Sequence, residues 1–198
     1  MICFSIKTYG LDAKLLDCDE KSEILMENAK EKASQLSKET GYYCLGDDSG
    51  VFFEALDYFP GVHSRRWGFE ETDDHKRNCK ILELLQNCNG MAKPVYLISR
   101  FSLTDPNGNE LFATVVKNEF QVSKIEQGKH GFGYDFILIP LANNIIAAHA
   151  EGRLPDWSRV EDIILNKRTI AELSQDEKNA INNRGKIAME IKTFLDGE

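Results

Sequence analysis

The sequence predicts a single mixed α/β domain spanning residues 1–198, and three observations carry that prediction. Two long segments repeat apolar residues with helical spacing, two β-rich runs flank a hairpin turn, and no repeat, low-complexity tract or linker divides the chain. Hydrophobic residues make up 42% of the 198, enough for a core and too many for disorder.

Taken in order, residues 4–11 alternate well enough to predict a short strand. A helix is expected over 22–40, with Leu25, Met26, Ala29, Ala33 and Leu36 on one face and Gly41 as its stop. Tyr42-Tyr43-Cys44-Leu45 reads as a short β-prone run that ends at Gly46-Asp47-Asp48-Ser49-Gly50. A second helix is expected over about 73–89, turning Ile81, Leu84, Leu85 and Cys88 inward, with Gly90 closing it. From 94 to 117 the two β-rich runs flank Asp105-Pro106-Asn107-Gly108, a hairpin signal. Another strand is expected over 136–139, after the glycine-rich Gly128-Lys129-His130-Gly131-Phe132-Gly133. The last helix starts at Ser174-Gln175-Asp176-Glu177, a capping box, and carries Ile181, Arg184, Ala188, Ile191 and Leu195 on one stripe.

Charge and composition exclude several classes. A formal net charge of −8 argues against a general nucleic-acid binder, which needs a basic surface to neutralise phosphates. No stretch approaches the ~20 apolar residues that span a bilayer, and the first residues lack a signal-peptide pattern. The five cysteines, Cys3, Cys18, Cys44, Cys79 and Cys88, are odd in number and without C-x-x-C spacing. They argue against a zinc or disulfide framework and for a reduced, cytoplasmic setting. His75, His130 and His149 show no ligand spacing and read as surface residues.

The segment richest in chemistry is Gly46-Asp47-Asp48-Ser49-Gly50. Adjacent carboxylates repel, and a magnesium ion shared between them and a polyphosphate would remove the conflict. An Asx-turn accounts for the same residues without any ligand.

The wider context resembles the inosine triphosphate pyrophosphatase family. Asp47-Asp48-Ser49-Gly50-Val51, followed by Pro60-Gly61-Val62-His63-Ser64-Arg65-Arg66, is similar to its D-D-S-G-L…P-G-V-Y-S-A-R signature. Glu27-Asn28-Ala29-Lys30-Glu31-Lys32-Ala33 is similar to its E-N-A-x-x-K-A helix, and Gly131-Phe132-Gly133-Tyr134-Asp135 to its G-F-G-Y-D-P strand entry. Thr169-Ile170-Ala171-Glu172-Leu173 and Glu177-Lys178-Asn179-Ala180-Ile181-Asn182-Asn183-Arg184 are similar to T-x-A-E-L…E-K-N-x-x-S-H-R.

What the resemblance implies is a twisted sheet flanked by helices with a nucleotide in its central groove. It also implies magnesium-dependent hydrolysis of deaminated purine nucleoside triphosphates, such as ITP, XTP and dITP, to monophosphate and pyrophosphate. By position, Asp48 would orient or deprotonate the attacking water and help hold Mg2+ with Asp47 and Glu20. Lys32 would contact the phosphates and Ser49 the substrate. Phe132 and Tyr134 would line or stack on the base, with Asp135, Lys178, Asn182, Asn183 and Arg184 completing the pocket. A homodimer is implied as well, and neither nucleic acid nor membrane as a partner. Other readings of the same residues stay open. Lys32 could be a solvated helix charge, Phe132 and Tyr134 core, and Lys178 and Arg184 ion-pair partners of Glu177.

Three departures accompany the resemblance. The family's N-terminal T-x-N-x-x-K phosphate loop is expected to lack a counterpart, because Met1 already falls near the family's second strand; a naturally shortened chain, a different start and another segment filling the gap stay open. S-H-R becomes Asn182-Asn183-Arg184, and an insertion of about 141–168 exceeds the family's short connection. A catalytically impaired nucleotide-binding protein on the same fold is therefore the rival reading.

Overall fold

The computed structural model describes residues 24–68 and 73–197. The predicted strand over 4–11 and Glu20 lie outside the described residues. The rest folds as a mixed α/β chain, as the sequence predicts. Five strands form one sheet in the order β2-β1-β3-β4-β5: β1 Cys44–Phe53, β2 Pro60–Gly61, β3 Val95–Thr104, β4 Glu110–Val122 and β5 Leu138–Pro140. The outer pairs are antiparallel, with Val51 opposite Gly61 and Gln121 opposite Ile139. The helices are α1 Leu25–Thr40, α2 Asp74–Asn87, α3 Ala142–Ala150, α4 Trp157–Leu165, α5 Gln175–Ile181 and α6 Asn183–Asp196. No helix among the described residues is long and apolar enough to cross a membrane. By contacts the chain resolves into two compact units whose boundaries fall inside β1, β3 and β4, after Asp48, Ile98 and Val115.

The first unit joins α1 to the opening of β1 and the tip of the β3–β4 hairpin. The buried face of α1 is Asn28, Ala29, Ala33 and Ser37, while Met26 is exposed. The predicted stripe was therefore rotated, because small side chains rather than large ones face the strand. The reason is Gly46. Any Cβ there would sit 2.1 Å from the carbonyl oxygen of Ala29, so the helix and strand backbones meet almost directly. Polar small side chains finish the seam. Thr104 Oγ1 donates to Ser37 Oγ at 3.0 Å, and Ser34 Oγ donates to the carbonyl of Gly108 at 3.0 Å. The predicted hairpin forms as expected, with Asp105 accepting from Asn107 and Asn109 backbone N–H groups.

The segment Gly46–Gly50 is not the end of a strand but its middle, a correction to the sequence reading. Its glycines mark close approaches rather than a turn. In the second unit, a Cβ on Gly50 would lie 2.5 Å from the carbonyl oxygen of Gly61 on β2.

The second unit holds the main core, built on Phe53, Ile81, Leu85, Phe120, Ile137, Ile145 and Ile181. Helix α2 buries Leu82 beside Ile81 and Leu85, while Cys88 is exposed rather than inward. The strand expected over 136–139 starts two residues later, because Gly133–Phe136 closes into a 3-10 turn. The insertion is two helices that complete the core through Ile145, Ala148, Val160 and Ile163. Its bend is capped by Asp156, which accepts from Ser158 N, and Trp157 packs edge-on to His149 at 5.0 Å.

The last predicted helix is two helices. Asn182 adopts an extended conformation and its side chain accepts from Gly185 N at 2.8 Å, capping α6. This break shifts the helical phase, so Asn183, Ile187 and Ile191 are buried and Arg184, Ala188 and Leu195 are exposed.

Candidate functional site

Two clusters, one in each unit, gather five of the sequence-predicted residues: Lys32 and Asp48 in the first, and Phe132, Asp135 and Lys178 in the second. In the first unit, Asn28 and Lys32 stand four residues apart on α1 and share a face. Gly46 holds that face against β1, where Asp48 is only 8% exposed. Asn28 Nδ2 donates to Asp48 Oδ2 at 3.1 Å, and Lys32 Nζ donates to Oδ1 at 2.7 Å. The buried carboxylate is thus oriented by one neutral and one charged donor. The lysine side chain stays 22% exposed.

Asp47 does not join this cluster. Successive side chains on a strand point to opposite faces, and the burial along β1 alternates accordingly. The expectation of one ion held between Asp47 and Asp48 therefore meets a geometric obstacle. A hard divalent ion accepts one carboxylate when phosphate oxygens and waters supply the remaining positions. Asp48 fits that donor set. Ser49, the next residue along, is exposed.

In the second unit, Lys178 is the buried partner. Its Nζ donates to the carbonyl of His130 at 2.8 Å and to Asp135 Oδ2 at 3.3 Å. Phe132 N also donates to Asp135 Oδ2, at 3.3 Å. Burial pushes the Asp135 carboxyl above its ordinary range, and the attraction of Lys178 opposes the shift. Phe132 is 67% exposed and free to present a ring face.

Tyr134 is placed differently from the expectation of a base-stacking ring. It is 7% exposed and lies edge-on to Phe53 at 5.9 Å. Its hydroxyl donates to Ser64 O at 2.8 Å and accepts from Trp67 Nε1 at 2.6 Å. Burial pushes that hydroxyl up to about 12. It ties the Pro60–Arg66 turn to the glycine-rich loop.

Asn182 and Asn183 are likewise built into the frame. Asn182 caps α6, and Asn183 Nδ2 donates to the carbonyls of Leu97 at 3.2 Å and Val116 at 3.1 Å. Arg184 follows, exposed on the first turn of α6. Glu177 serves Ser174 N in the capping box rather than Lys178.

Sequence reasoning gave no role to Asn28, although its spacing from Lys32 carried the signal. It also missed the anchors of Tyr134, Ser64 and Trp67. His75 is exposed, as expected, but it does have a ligand-like spacing: it lies four residues before Cys79 on α2, and the ligand atoms of His75, Cys79 and Glu126 all lie within 4.8 Å of one another.

Comparisons with known proteins agree with the fold. The model of the Ham1 family matches residues 3–153. A dITP/XTP pyrophosphatase of Mycobacteroides abscessus is 32% identical over 171 residues, spanning 85% of this chain and 70% of that protein. A dITP/XTP pyrophosphatase of Clostridium perfringens is 28% identical over 199 residues, spanning 98% of this chain and 84% of that protein. Among solved structures, a HAM1 protein from Coxiella burnetii superposes with a TM-score of 0.71 at 29% identity, over 93% of this chain and 83% of that one.

Proposed function

Because the chain belongs to the Ham1 family, we propose that it is a nucleoside triphosphate pyrophosphatase that releases pyrophosphate from deaminated purine nucleotides in a magnesium-dependent reaction. The relatives named as dITP/XTP pyrophosphatases support the reaction and the substrate class. The observation that carries the chemistry is the buried Asp48 carboxylate with Asn28 and Lys32 on its two oxygens.

In-line attack on phosphorus needs positioning and charge neutralisation more than covalent help. Asp48 would hold Mg2+, which bound there would neutralise phosphate charge. Asn28 keeps that carboxylate in its rotamer. Lys32, whose side chain reaches solvent, would exchange Asp48 for a phosphate oxygen. Asp48 would also orient the attacking water. Asp47 and Glu20, the other two carboxylates implied by the resemblance, are carried as secondary metal ligands, and Ser49 as a substrate contact.

The base is served by Phe132, Asp135, Lys178 and Arg184. A deaminated purine carries an N1–H donor where adenine carries an acceptor, and a carboxylate that partly reaches solvent accepts from the former. Asp135 has that character. Tyr134, Asn182 and Asn183 would act through the frame that holds these groups.

The test is pyrophosphate release with Mg2+ from ITP, XTP, dITP, ATP, GTP and dUTP, with Asp48→Asn as control. The expected result is turnover of the deaminated purines that Asp48→Asn abolishes. The rival, an impaired nucleotide binder, draws on the separation of Asp47 from Asp48. Calorimetric binding without turnover of any substrate would establish that rival and sink the hydrolase. Two further proposals rest on the family resemblance and the free Cys44, Cys79 and Cys88, namely a homodimer, checked by light scattering, and a cytoplasmic setting, checked by fractionation.

A further inference from the structure

Away from both clusters, we propose that His75, Cys79 and Glu126 form a site for a divalent cation of borderline softness, with Zn2+ the best match. His75 and Cys79 rise from one face of α2, four residues apart, and Glu126 arrives from the segment after β4. Their ligand atoms all lie within 4.8 Å of one another. Cys79 Sγ stands 3.9 Å from His75 Nδ1 and 3.7 Å from Nε2. A tetrahedral zinc bound at ~2.3 Å to sulfur and ~2.05 Å to nitrogen sets those ligands about 3.6 Å apart. The helix therefore already presents sulfur and nitrogen at nearly the spacing that the ion requires.

Two further observations support the site. The carboxylate is held from behind. Buried Asn78 donates through Nδ2 to Glu126 Oε1 at 2.7 Å and to the carbonyl of Gly133 at 3.0 Å. Such outer partners orient ligands and are a common part of metal centres. The site is also open to an incoming ion. It faces a cavity of about 480 Å³ whose wall includes His75, Glu126, Asp73 and Asp74. The two aspartates there are engaged by Lys76 and Arg77, which leaves Glu126 as the carboxylate that the site offers.

Charge and softness then select the ion. The Cys79 thiolate and the Glu126 carboxylate together balance a dication. Sulfur disfavours Mg2+ and favours zinc-like ions, so this site does not compete for the magnesium of the proposed hydrolase. On loading, the Cys79 thiol proton leaves to solvent. His75 Nδ1, now hydrogen-bonded to Glu126, turns its lone pair to the metal with the imidazole proton on Nε2. Water takes the fourth position. An ion so held pins the segment carrying Glu126 to the start of α2.

Co2+ is the probe, because a thiolate ligand gives it a charge-transfer absorption that oxygen ligands do not. Titrating the reduced full-length chain is expected to give that band at one equivalent, in the wild type and in Cys88→Ser. Cys79→Ser should abolish the band, and His75→Ala and Glu126→Gln should each weaken binding by about tenfold or more. All of these residues but Glu126 are exposed, and circular dichroism verifies each fold. Absence of the band, its survival in Cys79→Ser, or indifference to both His75→Ala and Glu126→Gln would overturn the site.

Discussion

The two site clusters use the same pair of side chains in opposite senses. In the first, the carboxylate of Asp48 is the buried member at 9% and the lysine the accessible one at 22%. In the second, Lys178 is the buried member at 9% and Asp135 the accessible one at 23%. One cluster therefore offers a cation to its surroundings and the other an anion. The bonding matches this inversion. Lys32 donates to Asp48 at 2.7 Å from a side chain that reaches solvent, whereas Lys178 divides itself between Asp135 and the carbonyl of His130. A lysine with a second, backbone partner is a strut, and one at a half-open edge can be lent to a substrate. The lesson is that a matched residue type does not fix a role; the direction in which each pair is buried does.

Breaking the first pair should produce the largest effect. Asp48→Asn keeps the shape and an acceptor for Asn28 but removes the charge that would hold a metal and orient water. Loss of a preorganised catalytic group of this kind costs about 10³-fold in kcat, or ~4 kcal/mol of barrier. Steady-state pyrophosphate release should show that loss, while the thermal midpoint stays near or above that of the wild type. A variant retaining more than a tenth of the activity would move catalysis away from Asp48.

Breaking the second pair should act on stability first. Lys178→Met leaves Asp135 without its cation, and partial exposure of the carboxyl limits the cost to about 2–3 kcal/mol. The cost should depend on pH. Burial raises the folded Asp135 above its ordinary 3.8, so the unfolded chain loses this proton first as pH rises. Stability associated with the group is fully present below the unfolded value and is lost as pH rises through the folded one. Removing Lys178 raises the folded value further, which deepens that loss. Urea unfolding across the acidic range should show a steeper decline with rising pH for Lys178→Met than for the wild type, and a flatter one for Asp135→Asn. Equal slopes in all three would remove Asp135 from the account.

A third change tests why the first cluster forms at all. Gly46→Ala would place a methyl group 2.1 Å from the Ala29 carbonyl oxygen. Helix α1 must then retreat, at about 1–3 kcal/mol for overpacking, and it carries Asn28 and Lys32 away from Asp48. Activity should therefore fall together with the melting temperature. Unchanged kinetics in a destabilised Gly46→Ala would show that the close approach serves packing alone.

The fold was largely legible because its elements announce themselves locally. The α1 and α2 stripes, the Asp105–Gly108 hairpin and the Ser174 capping box are patterns within a few residues. What the sequence hid was phase and contact. The small-residue face of α1 looks weakly amphipathic until Gly46 is placed beneath it. Likewise, β1 reads as a turn because glycines needed for close approach resemble glycines needed for bends. For the candidate site, motif matching singled out Asp48, Lys32, Asp135 and Lys178, which the structure brings together in two pairs. It could not tell the exposed Phe132 from the buried Tyr134, because across the entry to a 3-10 turn residues i and i+2 do not share a face as they would on a strand. The pairing of Glu126 with His75 joins segments 51 residues apart, a distance that no local pattern spans.

The smallest effect belongs to Asn182, and it separates a frame residue from a reading residue. Its side chain accepts from Gly185 N and lets α6 begin one residue late, which buries Asn183 against Leu97 and Val116 and leaves Arg184 outward. Asn182→Ala removes the cap and should cost about 1 kcal/mol, which lowers the melting temperature of a chain of this size by about 2–4 °C. Asn182→Ser restores a capping oxygen and should recover most of that loss. If Asn182 only sets the phase of α6, the ratio of kcat/KM for dITP over dATP in Asn182→Ser stays at the wild-type value. If its amide reads the base, the serine variant recovers stability and still loses the ratio. The same two substitutions therefore show whether this position belongs with Tyr134 in the frame or with Asp135 at the substrate.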